Sequence, residues 1–200
     1  MTARSAPTRV RLKPEERRTQ LIGIGLRLLV TRPIHEMSVD EVAAEAGISR
    51  GLLFRYFPTK RDYYVAVVRA AARRVLLHAE PPADGTPAER MRGIVDGFVS
   101  FVQRRKGNYV ALVRAGAGGD DLVLEVFEDT RRTLVDRVLD AADVRDPAPL
   151  LRLAVRGWLA MAEEMAVDAT DEVVTTADLV ELLAAQLERV VEQFTEDRPR

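Results

Sequence analysis

Helix-start signals punctuate this chain from end to end and leave little room for a sheet. Thr59-Lys60-Arg61-Asp62, Thr86-Pro87-Ala88-Glu89 and Thr175-Thr176-Ala177-Asp178 each place a hydroxyl three residues ahead of a carboxylate. At that spacing the hydroxyl accepts from the third helical amide and the carboxylate reaches back to the cap amide. Ser38-Val39-Asp40-Glu41 has the same form. Pro14 suits a first helical position with Glu15 and Glu16 in the first turn, and Asp146-Pro147 reads as an aspartate cap followed by proline. Between these starts apolar residues recur three and four apart, and no stretch alternates at period two. The chain is therefore expected to be all-α, with helices over 14–31, 38–46, 49–56, 59–79, 87–104, 108–115, 120–141, 147–168 and 176–195. Breaks fall at Glu80 to Gly85, at Gly116-Ala117-Gly118-Gly119 and around Asp143 to Pro147.

Composition removes several classes of function. Of the 200 residues 47% are apolar, enough for a sizeable core. No apolar run is long enough to span a membrane, and the basic stretch Met1 to Lys13 lacks the apolar centre of a secretory signal. Cysteine is absent, which removes disulfides, thiolate zinc sites and cysteine nucleophiles. With two histidines and no Ser/His/Asp order or carboxylate pair, neither enzyme chemistry nor a metal or cofactor is expected. The glycine run 116–119 follows a short helix and lacks a P-loop lysine, so it reads as a turn or hinge. His35 sits in a loop, and His78 reads as structural. A cytoplasmic location fits these features.

The net charge of −1 hides an asymmetry. Through Arg74 there are 15 basic and 7 acidic side chains; beyond it there are 15 and 24. A basic front and an acidic back imply two bodies with different partners, the front suited to a polyanion.

The most informative stretch runs from Ser38 to Lys60. A short helix presents the small inward residues Val39, Val42, Ala43 and Ala46. Gly47 then supplies a left-handed turn, Ile48 packs inward, and Ser49 caps a second short helix. Two short helices joined by a glycine turn form a helix-turn-helix, whose second helix enters the major groove of duplex DNA. Leu53 and Phe57 are four apart and face inward, leaving Arg50, Gly51, Leu52, Phe54, Arg55 and Tyr56 outward. Arg50 and Arg55 can pair with a guanine edge or reach phosphates, and the Tyr56 hydroxyl can donate to a phosphate. Leu52 and Phe54 can pack on thymine methyls or sugar. Thr59 and Lys60 bring a hydroxyl, a charge and a helix N-terminus to the backbone, as Ser38 and Ser49 do at the two earlier starts. The arm Thr2 to Arg18 carries Arg4, Arg9, Arg11, Lys13, Arg17 and Arg18, read either as added phosphate or minor-groove contacts or as a solvated tail.

These residues resemble the DNA-binding domain of TetR-family regulators. The likeness lies in Ser38 to Ala43, in the turn Ala46-Gly47-Ile48-Ser49, and in Gly51-Leu52-Leu53-Phe54-Arg55-Tyr56-Phe57-Pro58-Thr59-Lys60. It covers roughly residues 14–75. The resemblance implies a homodimer whose two recognition helices read a palindromic operator on double-stranded DNA. It also implies a C-terminal domain that releases DNA when a small-molecule effector binds. By position, Ser38, Arg50, Gly51, Leu52, Phe54, Tyr56 and Lys60 inherit DNA-contact roles. Leu52 and Phe54 stand where the family commonly has threonine and tyrosine, so two hydroxyl contacts are absent. The expected organisation is a basic arm (1–13), a three-helix DNA-binding domain (14–75, helix-turn-helix 38–57) and a helical ligand-binding and dimerisation domain (76–200). The join falls inside helix 59–79.

In the C-terminal body, helix 147–168 carries one stripe of Leu151, Ala154, Trp158, Met161 and Met165 and a neighbouring stripe of Leu150, Leu153, Gly157 and Ala160. Helix 176–195 carries a wide stripe including Leu179, Leu183, Leu187, Val190 and Phe194. Two such helices per subunit would make a four-helix dimer interface, assigned to Leu150, Leu153, Gly157, Ala160, Leu183, Leu187, Val190 and Phe194. Candidates for an apolar ligand cavity are Phe98, Phe101, Tyr109, Leu112, Phe127, Trp158, Met161 and Met165; plain core is the competing reading of the same side chains. Glu163 and Glu164 would mark a cationic ligand if buried. The alternative function is a helical protein-interaction module that does not bind DNA specifically. The basic front half speaks against it.

Overall fold

The computed structural model describes residues 12–29, 37–107, 109–110, 120–169 and 174–195. Among these the helices are α1 (Pro14–Leu28), α2 (Val39–Glu45), α3 (Arg50–Tyr56), α4 (Lys60–His78), α5 (Pro87–Arg104), α6 (Asp121–Ala141), α7 (Pro149–Asp168) and α8 (Thr176–Thr195), with no strand. The all-helical expectation holds. Tyr109 and Val110 are helical, but the rest of the expected helix 108–115, Leu112 included, lies outside the described residues, as do the glycine run 116–119, His35, Arg4, Arg9 and Arg11.

Most helix starts form as the spacing predicts. The Thr59 amide donates to Asp62 Oδ2 (2.9 Å) while the Asp62 amide donates to Thr59 Oγ1 (3.0 Å). Thr86 and Glu89 repeat the exchange at 2.8 and 3.3 Å. At α8 the Asp178 amide donates to Thr175 Oγ1 (3.1 Å). Ser38 differs, accepting from the Asp40 amide (3.2 Å), one position earlier than a capping box requires. Asp146-Pro147 does not open α7. The second proline, Pro149, bars the helical region to the residue before it, so Ala148 is extended (φ −56°, ψ 144°) and the helix starts two residues late.

Two clusters of buried side chains organise the chain. One joins α1–α4 and draws in Val123 and Val126 from α6; the other joins the end of α4 with α5–α8. Two glycines permit the helix approaches this needs. A β-carbon on Gly25 would lie 2.5 Å from Tyr63 Oη and from Val67 Cγ2, and one on Gly97 would lie 1.8 Å from the His78 carbonyl oxygen. Helix α6 is tied to α4 at both ends. Arg61 donates to both Asp120 oxygens (2.7 and 3.0 Å), and Asp120 also caps α6. Near the far end, Arg137 donates to the Leu76 carbonyl and pairs with Glu80 (2.8 Å).

The two faces of α7 differ from the expected stripes. Leu151, Val155, Trp158, Leu159, Ala162 and Ala166 point inward. Leu150 (61% exposed), Leu153 (63%), Gly157, Ala160 and Met161 (38%) form an outer apolar face. Met161 therefore belongs to that face and not to a cavity. The assignment of Leu183 and Leu187 to a dimer interface is corrected. Both are fully buried, because α8 packs between α5 and α7 and spends the centre of its wide stripe inside the protomer. Val190 and Phe194 are half-buried against the same core.

Candidate nucleic-acid interface and cavity

The turn between α2 and α3 closes by backbone chemistry. Gly47 takes φ +64°, the Ile48 amide donates to the Ala43 carbonyl (2.9 Å) and the Gly47 amide to the Ala44 carbonyl (3.0 Å). This pair of hydrogen bonds is the glycine-terminated helix end that the sequence calls for. Ser49 Oγ then accepts from the Leu52 amide (3.2 Å) and starts α3. Leu53 and Phe57 are buried, as expected, and Phe57 meets Tyr63 of α4 edge-on at 5.1 Å.

Anchored on that side, α3 presents its other faces. Arg50, Gly51 and Arg55 are exposed and Leu52 is half-buried. Phe54 and Tyr56 are half-buried and pack against the core of the α1–α4 body, so each divides its surface between core and solvent. A β-carbon on Gly51 would meet nothing nearer than Ser49 Oγ at 4.0 Å, which leaves the start of α3 open to close approach.

Four contacts gather the helix starts onto one surface. Arg50 pairs with Asp40 in the first turn of α2 (3.1 Å) and its guanidinium lies over the Phe54 ring (5.4 Å). The Tyr64 hydroxyl donates to the Met37 carbonyl, beside Ser38, and Lys60 Nζ lies over the Tyr64 ring (5.0 Å). The starts of α3 and α4 are thereby each tied to the start of α2, although Ser38, Arg50 and Lys60 span more than twenty residues. Both side chains of the Arg50–Asp40 pair are 63% exposed, and a pair so solvated contributes less than about 1 kcal/mol, so an incoming anion or base edge can displace the carboxylate. Asp40 and Tyr64 were not legible as site residues. Beside the exit of α3, a groove of about 360 Å³ is lined by Arg18, Tyr56, Asp62, Arg69, Arg73 and Leu122, and Arg18 covers Phe57 (5.0 Å).

In the C-terminal body, Phe98, Tyr109 and Phe127 come together with Ala72, Val75, Leu134 and Leu159 around a cavity of about 30 Å³. The other candidates separate. Trp158 borders a smaller void with Phe98 and donates through Nε1 to the Leu183 carbonyl (3.2 Å). Phe101 lines a second cleft on the far side of Tyr109, with Leu26, Leu29, Arg74 and Arg105. Met165 packs against the core instead of the cavity. The His78 ring packs at a tilt against Phe101 (4.9 Å between centroids), with Nδ1 2.8 Å from the Arg74 carbonyl oxygen. Of the polar wall, the sequence reading named Glu163, which is half-buried, and missed Thr130 and Arg131; Glu164 is exposed. Arg131 pairs with Glu163 at 3.3 Å, and Tyr109 lines the same cavity beside that carboxylate. Burial first, and then Glu163, push the Tyr109 phenol well above its ordinary range, so it remains a donor.

Among the described residues no cluster of three or more metal-ligating side chains occurs, and no helix is long and apolar enough to cross a membrane. A family model described as bacterial regulatory proteins, tetR family, matches residues 21–67, and one described as tetracyclin repressor-like, C-terminal domain, matches residues 87–193. The chain is similar to the HTH-type transcriptional regulator EthR of Mycobacterium tuberculosis, with 34% identity over 120 residues, 57% of this chain and 53% of EthR. It is also similar to the HTH-type transcriptional activator FasR of Mycolicibacterium smegmatis, with 29% identity over 50% of this chain and 46% of FasR. The matched part spans about half the length of each relative. A solved tetR-family regulator from Streptomyces coelicolor superposes with a TM-score of 0.77 and 29% identity over 94% of this chain and 92% of that one.

Proposed function

Because the chain belongs to the TetR family of bacterial regulators, we propose that it is a dimeric, sequence-specific DNA-binding repressor that leaves a palindromic operator when a small molecule binds its C-terminal body. The division is a basic arm (1–13), a DNA-binding unit (14–75) and an effector and dimerisation unit (76–200). Helix α3 enters the major groove, where Arg50 exchanges Asp40 for a guanine edge. Leu52 and Phe54 lie against thymine methyls or sugar, and Gly51 lets the helix start approach the bases. Ser38, Ser49, Arg55, Tyr56, Thr59 and Lys60 hold the register through phosphates. The observation that carries this reading is the exposure of Arg50, Thr59 and Lys60 at helix starts tied to the start of α2 beside half-buried Ser38, with Leu53 and Phe57 as buried anchors.

The effector reading rests on the cavity between α4, α5, α6 and α7. A volume of about 30 Å³ holds a water or two and no organic molecule, so an effector must push a wall outward. The wall that leads to DNA is α6. Phe127, Arg131 and Leu134 line the cavity, Val123 and Val126 sit in the core of the DNA-binding unit, and Asp120 grips Arg61 beside Lys60. Displacing α6 therefore moves the start of α4 and with it the DNA surface. The outer face of α7, with Leu150, Leu153, Gly157 and Ala160, packs on its copy about a twofold axis.

Salt dependence of duplex binding tests the DNA role. With about six phosphates neutralised per dimer, the logarithm of affinity should fall with the logarithm of salt at a slope of about −5. A flat dependence would refute the reading.

A further inference from the structure

The cavity wall ends in a network whose charges alternate and cancel. Arg156 pairs with Glu128 (2.7 Å), Glu128 with Arg131 (3.5 Å), and Arg131 with Glu163 (3.3 Å), with Tyr109 lining the cavity beside Glu163. The inner member is the least solvated: the Glu163 side chain is 15% exposed, against about 45% for Arg156 and Glu128 at the outer end. Among the described residues two guanidiniums face two carboxylates, so their charges cancel, and the rest of the described lining is apolar apart from Thr130, whose hydroxyl donates to the Val126 carbonyl (2.6 Å).

An ammonium head placed here would compete with Arg131 for Glu163 and leave a surplus positive charge at a poorly solvated place. A carboxylate head would take Arg131 and strand Glu163. Either outcome leaves a charge without compensation, which is strongly unfavourable away from water. A head that both donates and accepts while carrying no charge avoids this. It donates to the free lone pairs of Glu163 and accepts from Arg131, leaving the ion pair whole. Resting on the effector-cavity reading above, we propose that the effector is an apolar molecule with an uncharged donor–acceptor head, of the carboxamide class, seated on Tyr109, Arg131 and Glu163.

The test uses full-length protein and two probe sets with matched tails: hexanamide, hexylamine and hexanoate, then decanamide, decylamine and decanoate. Binding is read by the fluorescence of Trp158, the single tryptophan, on the same helix as Glu163, and by the shift in melting temperature. At neutral pH the amide of at least one set should bind about tenfold or more tightly than its amine and its carboxylate. The preference should then follow the charge of the wall. Glu163→Gln, which keeps an acceptor beside Tyr109, should turn it toward the carboxylate, and Arg131→Gln should turn it toward the amine. The two variants are independent, so one that fails to fold leaves the other to decide. Equal binding of all heads, or a preference unmoved by either variant, overturns the head assignment while leaving the cavity as the binding site. No binding by any probe, or binding that both Ala72→Met and Ala72→Phe leave unchanged, overturns the cavity reading and the head assignment with it.

Discussion

Replacing Gly25 with alanine tests the packing of the DNA-binding unit by the sign of its effect. In an exposed helix the change stabilises by about 1 kcal/mol through helix propensity. Gly25 is buried in α1, however, and a new β-carbon would stand 2.5 Å from Tyr63 Oη and 2.5 Å from Val67 Cγ2, where unstrained contacts run to roughly 3.5–4.0 Å. Neither neighbour can retreat. Tyr63 is fully buried, its hydroxyl donates to the Leu21 carbonyl (2.8 Å) and its ring supports Phe57 at the end of α3. Forcing an extra carbon into such a site costs about 1–3 kcal/mol, and losing the Tyr63 hydrogen bond adds about 1 kcal/mol. After the propensity gain the variant should be less stable by about 1–3 kcal/mol. Urea unfolding followed by far-ultraviolet circular dichroism measures this. Trp158 fluorescence follows the other core cluster, so helix signal lost ahead of tryptophan signal would locate the damage in the DNA-binding unit. A midpoint equal to or above that of the parent would refute the close-packing account.

Other perturbations address the remaining elements. Arg50→Ala should cost about 1–3 kcal/mol on the preferred duplex and relax base preference, while Lys60→Ala should weaken all sequences alike and flatten the salt slope by about one. Equal losses on preferred and random duplex for both variants would contradict the base-reading role of Arg50. Leu153→Glu puts a charge in the middle of the outer α7 face and should yield a folded monomer by analytical ultracentrifugation; a persistent dimer would exclude that face. Arg61 and Arg156 hold the Asp120 and Glu128 carboxyls below the usual carboxylate range. The stability these pairs add is complete above the unfolded carboxylate pKa of about 4 and disappears as pH falls through the lowered folded values. Asp120→Asn should therefore lower stability at neutral pH and flatten the acid limb of the stability profile; an unchanged acid limb would show that the Arg61 tie contributes nothing.

What the sequence revealed follows from the range of the interactions involved. The helix starts at Thr59, Thr86 and Thr175 and the turn at Gly47 use groups within a few residues of one another, so their spacing alone specifies them. The inward placement of Leu53 and Phe57 follows equally from helical period. The misreadings arise where neighbours decide. A wide stripe on α8 does not say which of its edges meets a partner, and Leu183 and Leu187 proved internal. Met161 lies next to both stripes of α7, and only the packing of α7 on its neighbours decides that it faces outward. The sequence reading starts α7 at Pro147, and the rule governing the residue before a proline moves the start to Pro149. Asp40 with Arg50, and Arg131 with Glu163, join residues 10 and 32 positions apart with no local spacing signal.

The most direct test of the central claim is selection of binding sites from a random duplex library by purified full-length protein at near-physiological salt. Two copies of α3 reading neighbouring major grooves on one face predict an inverted repeat with half-sites about one helical turn apart, lost in the Arg50→Ala variant. Recovery of no motif, with binding that stays weak even at low salt, would contradict the account and favour a helical interaction module.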